Sequence, residues 1–153
     1  MLDQKTYGHS RKKAANKSDD SGQNWKLINH DLTGLQILDI DPKTPTKLYA
    51  GTKNNGVLKS TDGGGTWKKI NQGLDNLSIQ AFLIDPATPT TLYIATLNGV
   101  YKSIDGGDTW ARFNTLVPNK STTIDTLFMD ASTTNMLYAG TFFQGIYIIK
   151  QEK

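Results

Sequence analysis

A chain of 153 residues with a formal charge of +3, 20% charged and 37% hydrophobic residues is sized for one ordinary globular domain. It has no cysteine, which excludes a disulfide framework, a thiolate nucleophile and a cysteine-bound metal, and leaves its compartment open. The 13 Asp stand against a single Glu, Glu152, and the 15 Lys against two Arg, Arg11 and Arg112, so a glutamate-centred mechanism has one candidate and an arginine triad within one chain is impossible.

Residues 1–16 read as a basic tail. Residues 1–17 carry Lys5, Arg11, Lys12, Lys13 and Lys17 against Asp3, a net of +4, while the remainder has 12 basic and 13 acidic residues, a net of −1. Nucleic-acid binding calls for a basic face interleaved with base-reading side chains, and here the positive charge belongs to a short polar segment. No apolar run approaches the roughly 18 to 20 residues of a bilayer-crossing helix, and the first residues lack a signal-peptide core. The expectation is a soluble chain with no nucleic-acid or membrane partner.

From residue 17 to 153 the sequence repeats itself. Tracts reading KSDDSGQNW from Lys17, KSTDGGGTW from Lys59 and KSIDGGDTW from Lys102 share one template, with Trp25, Trp67 and Trp110 spaced by 42 and 43 residues. A second element recurs at Asp41 (DPKTPTKLYAGT), Asp85 (DPATPTTLYIAT) and, with drift, Asp130 (DASTTNMLYAGT). A third follows each: Gly56-Val57-Leu58, Gly99-Val100-Tyr101 and Gly145-Ile146-Tyr147. With 19 Thr and no helical periodicity, the units predict strands and turns.

In chain order the predicted elements are a D-type strand at Trp25–Ile28, then an A strand at Leu35–Asp41, B at Lys47–Thr52, C at Gly56–Ser60 and D from Trp67. The next unit gives A at Ser78–Asp85, B at Thr91–Thr96, C at Gly99–Ser103 and D from Trp110. The last gives A at Thr122–Asp130, B at Met136–Thr141 and C at Gly145–Lys150. The A strands are apolar almost throughout, as for strands buried on both faces. Ala14-Ala15-Asn16 fits the C-strand positions poorly, and Ile148-Ile149 replaces the Lys-Ser that introduces each tract. Four short antiparallel strands per unit describe an all-β protein built from β-propeller blades, with three blade equivalents in the chain.

The S-x-D-x-G-x-[TN]-W tracts resemble Asp-boxes, or BNR repeats, and the D-P-x-x-P-x-x-L-Y-A-G-T companion is similar to the Asp-box propeller superfamily of sialidases, xyloglucanases, sortilin-type receptors and photosystem II assembly factors. The resemblance covers residues 17–150. Physically, Asp20, Asp62 and Asp105 suit carboxylates folded onto turn amides. Ser18, Ser60, Ser103, Thr66 and Thr109 suit local hydroxyl bonds, and Gly22, Gly64 and Gly107 suit backbone that other residues avoid. Trp25, Trp67 and Trp110 are expected to fix each turn against its sheet. The resemblance places these turns between C and D, opposite the usual ligand face. A calcium loop would need more oxygen ligands than one repeated Asp, so no metal and no cofactor are expected. His9 and His30 have no metal-binding partner by spacing.

Three blades are too few to close a ring. The orphan N-terminal D strand is what the last blade lacks, so a homodimer in which each copy's Trp25 strand completes the other's third blade would give six blades without exposed edges. The rival is a fragment of a longer propeller.

The resemblance puts ligands on the face carrying the D-to-A and B-to-C loops: His30–Gly34, Gln72–Leu77, Asn114–Ser121, Lys53–Asn55, Leu97–Asn98 and Phe142–Gln144. Candidate ligand-binding residues are Asn54, Asn55, Asn98 and Gln144, whose amides offer paired donors and acceptors, and Phe142 and Phe143, a stacking pair or dimer contact. Gln36, Gln80 and Asp125 share one A-strand position. Asp39 stands where the other A strands have Leu83 and Phe128, a carboxylate needing a partner if buried. No catalytic residue is assigned. Sialidase-like chemistry lacks its arginines and glutamate, and no F-R-I-P-type stretch is present; paired-aspartate hydrolysis has Asp39, Asp75 and Asp125 available. The sequence favours a non-catalytic binding or scaffold module for a glycan, peptide or protein, with a glycoside hydrolase-like protein or the structural piece of an assembly factor as alternatives.

Overall fold

The computed structural model describes residues 15–29, 32–114, 123–130 and 135–150. It divides between Thr33 and Gly34 into two compact units. In the first, β1 (Ala15–Lys17) pairs antiparallel with β2 (Lys26–Asn29) across the first box. Ala15-Asn16-Lys17 is therefore a C-type strand despite its weak strand propensity, a correction to the poor fit read from its side chains. The turn, not the side chains, sets its pairing.

The second unit is a row of antiparallel sheets, each a simple meander. Sheet I runs β3 (Leu35–Ile40), β4 (Leu48–Thr52), β5 (Val57–Ser60) and β6 (Lys68–Lys69). Sheet II runs β7 (Ile79–Ile84), β8 (Leu92–Thr96), β9 (Gly99–Ser103) and β10 (Ala111–Asn114). Sheet III has β11 (Ile124–Met129), β12 (Met136–Thr141) and β13 (Gly145–Lys150), with no further strand paired to β13 among the described residues. The predicted strands match these within a residue or two.

Sheet II lies between the other two, with β7 packed on β3 and β4 and with β7 and β8 packed on β11. One core forms where Ile37, Tyr49 and Val57 of sheet I meet Phe82, Ile84, Leu92, Ile94 and Tyr101 of sheet II. The other forms where Ala81, Leu83, Tyr93, Ala95 and Val100 meet Ile124, Leu127, Met129, Leu137 and Ile149 of sheet III. Among the described residues, only the middle A strand, β7, is covered on both faces. In β3, Gln36, Leu38 and Ile40 are exposed, and in β11, Asp125, Thr126 and Phe128 are exposed. The expectation of doubly buried A strands holds for β7 alone, because burial on both faces needs a sheet on each side.

Polar bonds tie sheets I and II. The Tyr49 hydroxyl and Lys59 Nζ both donate to the Gly106 carbonyl, at 3.3 and 2.9 Å. Trp110 donates its backbone N–H to Gln72 O at 2.8 Å and its indole N–H to Ile70 O at 2.7 Å. Gly73, at φ +93°, lets this approach happen, since a Cβ there would lie 2.0 Å from Trp110 O.

Candidate functional site

The three boxes adopt one geometry. Ser18, Ser60 and Ser103 donate to Oδ1 of Asp20, Asp62 and Asp105 at 2.7, 2.8 and 2.7 Å. The same hydroxyl oxygens accept the amides of Gly22, Gly64 and Gly107 at 2.8, 2.9 and 2.8 Å. The backbone N–H of Asn24, Thr66 and Thr109 donates to Oδ1, while Asn24 Nδ2 and the two threonine hydroxyls donate to Oδ2. With the amide and side chain of that residue bonding to it, each carboxyl is held at about 2, below the usual 3.8. A carboxylate saturated in this way is a poor general acid or base.

The tryptophans are not equivalent, contrary to expectation. Trp110 is 4% exposed and bonds the preceding sheet, whereas Trp67 is half-buried and Trp25 is 64% exposed. The indoles of Trp67 and Trp25 donate to their own boxes, at Gly64 O and Gly22 O. Within the second unit, the Trp110 indole reaches a carbonyl of the preceding sheet's outer segment, Ile70 O, while the Trp67 indole stays on its own turn.

At the opposite ends of the strands, each B-to-C turn is closed by a threonine that the sequence reading passed over. Thr52, Thr96 and Thr141 donate to the carbonyls of Gly56, Gly99 and Gly145 and accept the amides of Asn55, Asn98 and Gln144. The signal was present as the last residue of the repeated L-Y-x-[AG]-T. Asn54 is exposed in the first turn, and the Asn55 carbonyl accepts from Asn71 Nδ2 at 2.9 Å. Gln144 Oε1 accepts the Tyr147 hydroxyl. Phe142 and Phe143 are 71% and 89% exposed, edge to face with centroids 4.4 Å apart. Residues 30–31 and 115–122, part of the predicted loop face, lie outside the described residues.

Gln36, Gln80 and Asp125 share more than a position. The ladder pairs Leu35 with Thr52 and then Ile37 with Gly51, leaving Gln36 as an extra residue. The same shift falls between Ile79 and Ala81 and between Ile124 and Thr126. All three polar residues are therefore β-bulge residues at the loop-face ends of the A strands, where a bulge re-aims a side chain. Gln36 and Asp125 are exposed; Gln80 is half-buried and donates to Ser78 Oγ at 2.8 Å. Asp39 does not join them. It lies three residues further along, roughly 10 Å away by strand rise, opposite Tyr49 near the other end. Burial raises its carboxyl from the usual range, against a bond from the Ile40 amide at 2.8 Å.

A polar network on the outer part of sheet II was only partly visible in sequence. Asp75, in the D-to-A loop, accepts the Tyr101 hydroxyl and Asn98 Nδ2, the latter at 3.2 Å. Arg112 donates to the Asn98 carbonyl and lies 6.0 Å from the Tyr101 ring centroid. The Tyr101 hydroxyl bond, outweighing the opposing burial, keeps Asp75 below its ordinary range, while burial and then Asp75 push Tyr101 up to about 12. Asp75 and Asn98 came from the sequence; Tyr101 and Arg112 did not, because their meeting depends on the fold.

No family model and no curated protein matches the chain. Solved structures do. A GH74 enzyme of Niastella koreensis superposes with a TM-score of 0.69 at 25% identity, over 90% of this chain and 24% of that one. The GH74 xyloglucanase of Xanthomonas campestris gives 0.67 at 20% identity, over 89% and 24%. A structure described as YCF48 bound to D1 peptide gives 0.65 at 15% identity, over 94% and 46%. The chain thus spans about a quarter of the GH74 enzymes and under half of YCF48. All three are β-propeller proteins, and the antiparallel four-stranded sheets of this chain have the β-propeller fold.

Proposed function

We propose that residues 17–153 form a non-catalytic binding or scaffold module of Asp-box blades that recognises a peptide, protein or glycan on its loop face. The observation that carries this reading is the set of three β-bulges holding Gln36, Gln80 and Asp125 at equivalent strand ends. Amide and carboxylate groups displaced from the ladder suit hydrogen bonding to a polar ligand. The threonine-closed turns around Asn55, Asn98 and Gln144 give the neighbouring loops a fixed frame. A YCF48 structure carrying a bound peptide aligns with 94% of the chain, which supports the peptide form of the reading.

The second reading, a glycoside hydrolase-like protein, is favoured by the resemblance to GH74 enzymes. Inverting hydrolysis requires two carboxyls roughly 6.5 to 9.5 Å apart, one of them protonated. The Tyr101 hydroxyl bond lowers the Asp75 carboxyl, which makes it a poor proton donor, and Asp39 lies near the far end of its strand from Asp125's equivalent position.

The two readings separate on a peptide array and a xyloglucan reducing-end assay run with the same protein. Peptide binding weakened at least tenfold by Gln36→Ala with Gln80→Ala, without turnover, supports a binding module. Release of reducing ends, abolished by Asp39→Asn or Asp125→Asn, overturns it in favour of the hydrolase.

A further inference from the structure

The faces of sheets I and II that meet the next sheet are largely apolar, Asp39 apart, and covered; the corresponding face of sheet III is largely apolar and exposed. Val57 and Val100, at 0% and 1% exposure, correspond to Ile146, at 71%. Leu83, packed against the second core, corresponds to Phe128, at 61%. Around them a concavity of about 360 Å³ is lined by Thr126, Phe128, Asp130, Tyr138, Gly140 and Ile146.

The complementary face is present at the other end of the row. Phe82 and Ile84 of sheet II are buried under sheet I, with Phe82 stacked on Tyr49 at 5.4 Å. Their equivalents in sheet I, Leu38 and Ile40, are 55% and 51% exposed. One chain thus carries both halves of an interface that it already uses twice internally. A second copy can supply each half to the other.

The strand edges agree. The three C–D pairs share one register: Lys17 with Lys26 and Asn16 with Leu27, Lys59 with Lys68 and Leu58 with Lys69, Lys102 with Ala111 and Tyr101 with Arg112. The pairs β1–β2 and β9–β10 even share a bulge at the same place. Among the described residues, sheet III ends at a C-type strand with no D strand beside it. Strand β1, holding the C position against β2, has three residues, Ala-Asn-Lys; β13 has six and offers Ile146, Tyr147 and Ile148 at the same positions. β-Branched and aromatic residues pair better than Ala, Asn and Lys, and an open apolar edge favours a new strand.

We propose that a second copy of this chain completes sheet III: its β2 adds to the open edge of β13, in the place β1 holds in the single chain, and its sheet I covers the exposed face of sheet III. Register transfer pairs Ile148 with Lys26, Tyr147 with Leu27 and Ile146 with Asn29 of the second copy. Reciprocal exchange about a two-fold axis closes sheets I to III of both copies into one ring.

The test uses the full chain. Light scattering after size exclusion is expected to give twice 16.9 kDa at micromolar concentration, and Ile146→Glu, at an exposed position, is expected to weaken association at least tenfold. Because the chain has no cysteine, the pair Leu27→Cys and Tyr147→Cys reports directly on the proposed register. Oxidation should link the chains as a dimer on a denaturing gel. A wild-type mass of 16.9 kDa across the concentration range overturns the proposal, whether or not the cysteine variant folds. So do open-ended polymers, or a crosslink formed only within one chain.

Discussion

Trp110→Phe isolates the bond by which one sheet holds the next. The substitution keeps an apolar ring but removes the indole N–H that donates to Ile70 O at 2.7 Å in a buried setting. An unpaired buried carbonyl costs about 1–3 kcal/mol, and the void left by the smaller ring adds about 1 kcal/mol. The sum is about 2–4 kcal/mol. Trp67→Phe is the internal control, because its indole bonds its own box at Gly64 O and is half-buried; its cost is about 1 kcal/mol or less. With a urea slope of about 1–3 kcal/mol per molar, the two midpoints should differ by about 1 M. Far-ultraviolet circular dichroism is the appropriate readout, since both changes alter tryptophan emission. Equal shifts for the two variants would refute the claim that Trp110 works through sheet I rather than through its own turn.

Gly73→Ala should destabilise the chain by about 3 kcal/mol or more, because φ +93° and a Cβ 2.0 Å from Trp110 O cannot both be relieved; Gly63→Ala, also at positive φ but with nothing within 4 Å, should cost only about 1–2 kcal/mol by the same denaturation assay. Lys59→Met should cost about 1 kcal/mol or less, since the Gly106 carbonyl keeps the Tyr49 hydroxyl; a much larger loss in a urea titration would mean that Tyr49 does not hold the bond alone. The box carboxyls, held at about 2 against 3.8, contribute stability that is complete above about pH 5 and is lost as pH falls through about 2. Thermal midpoints should decline across that window, and Asp62→Asn with Asp105→Asn should flatten the decline.

Much of the strand plan was legible because turn chemistry repeats with it: the boxes, the D-P turns and the glycines before the C strands mark the boundaries that the sheets adopt. What escaped depends on neighbours. Trp25, Trp67 and Trp110 are identical in motif and graded in burial, since only Trp110 finds Ile70 and Gln72 of a preceding sheet within its own unit. Ala15-Asn16-Lys17 lacks strand propensity, yet the box beside it fixes the pairing. The alignment of Gln36, Gln80 and Asp125 could be seen, but not that each is an extra residue in its ladder. That is a statement about register, fixed by Gly51, Ala95 and Gly140 across the sheet. The contact of Asp75 with Tyr101 spans 26 residues and follows no period.

The box turns have a kinetic consequence. Their serine and aspartate side-chain bonds reach no further than four residues along the chain, so each can close before any sheet has met its neighbour, at the small entropy of a short loop. Each closed turn then delivers two strands already in register, and the slower encounter left to the chain is between whole hairpins rather than between single strands. Mispairing by one residue, which would turn an apolar face to water, is thereby suppressed at the earliest step, when the chain has least else to guide it.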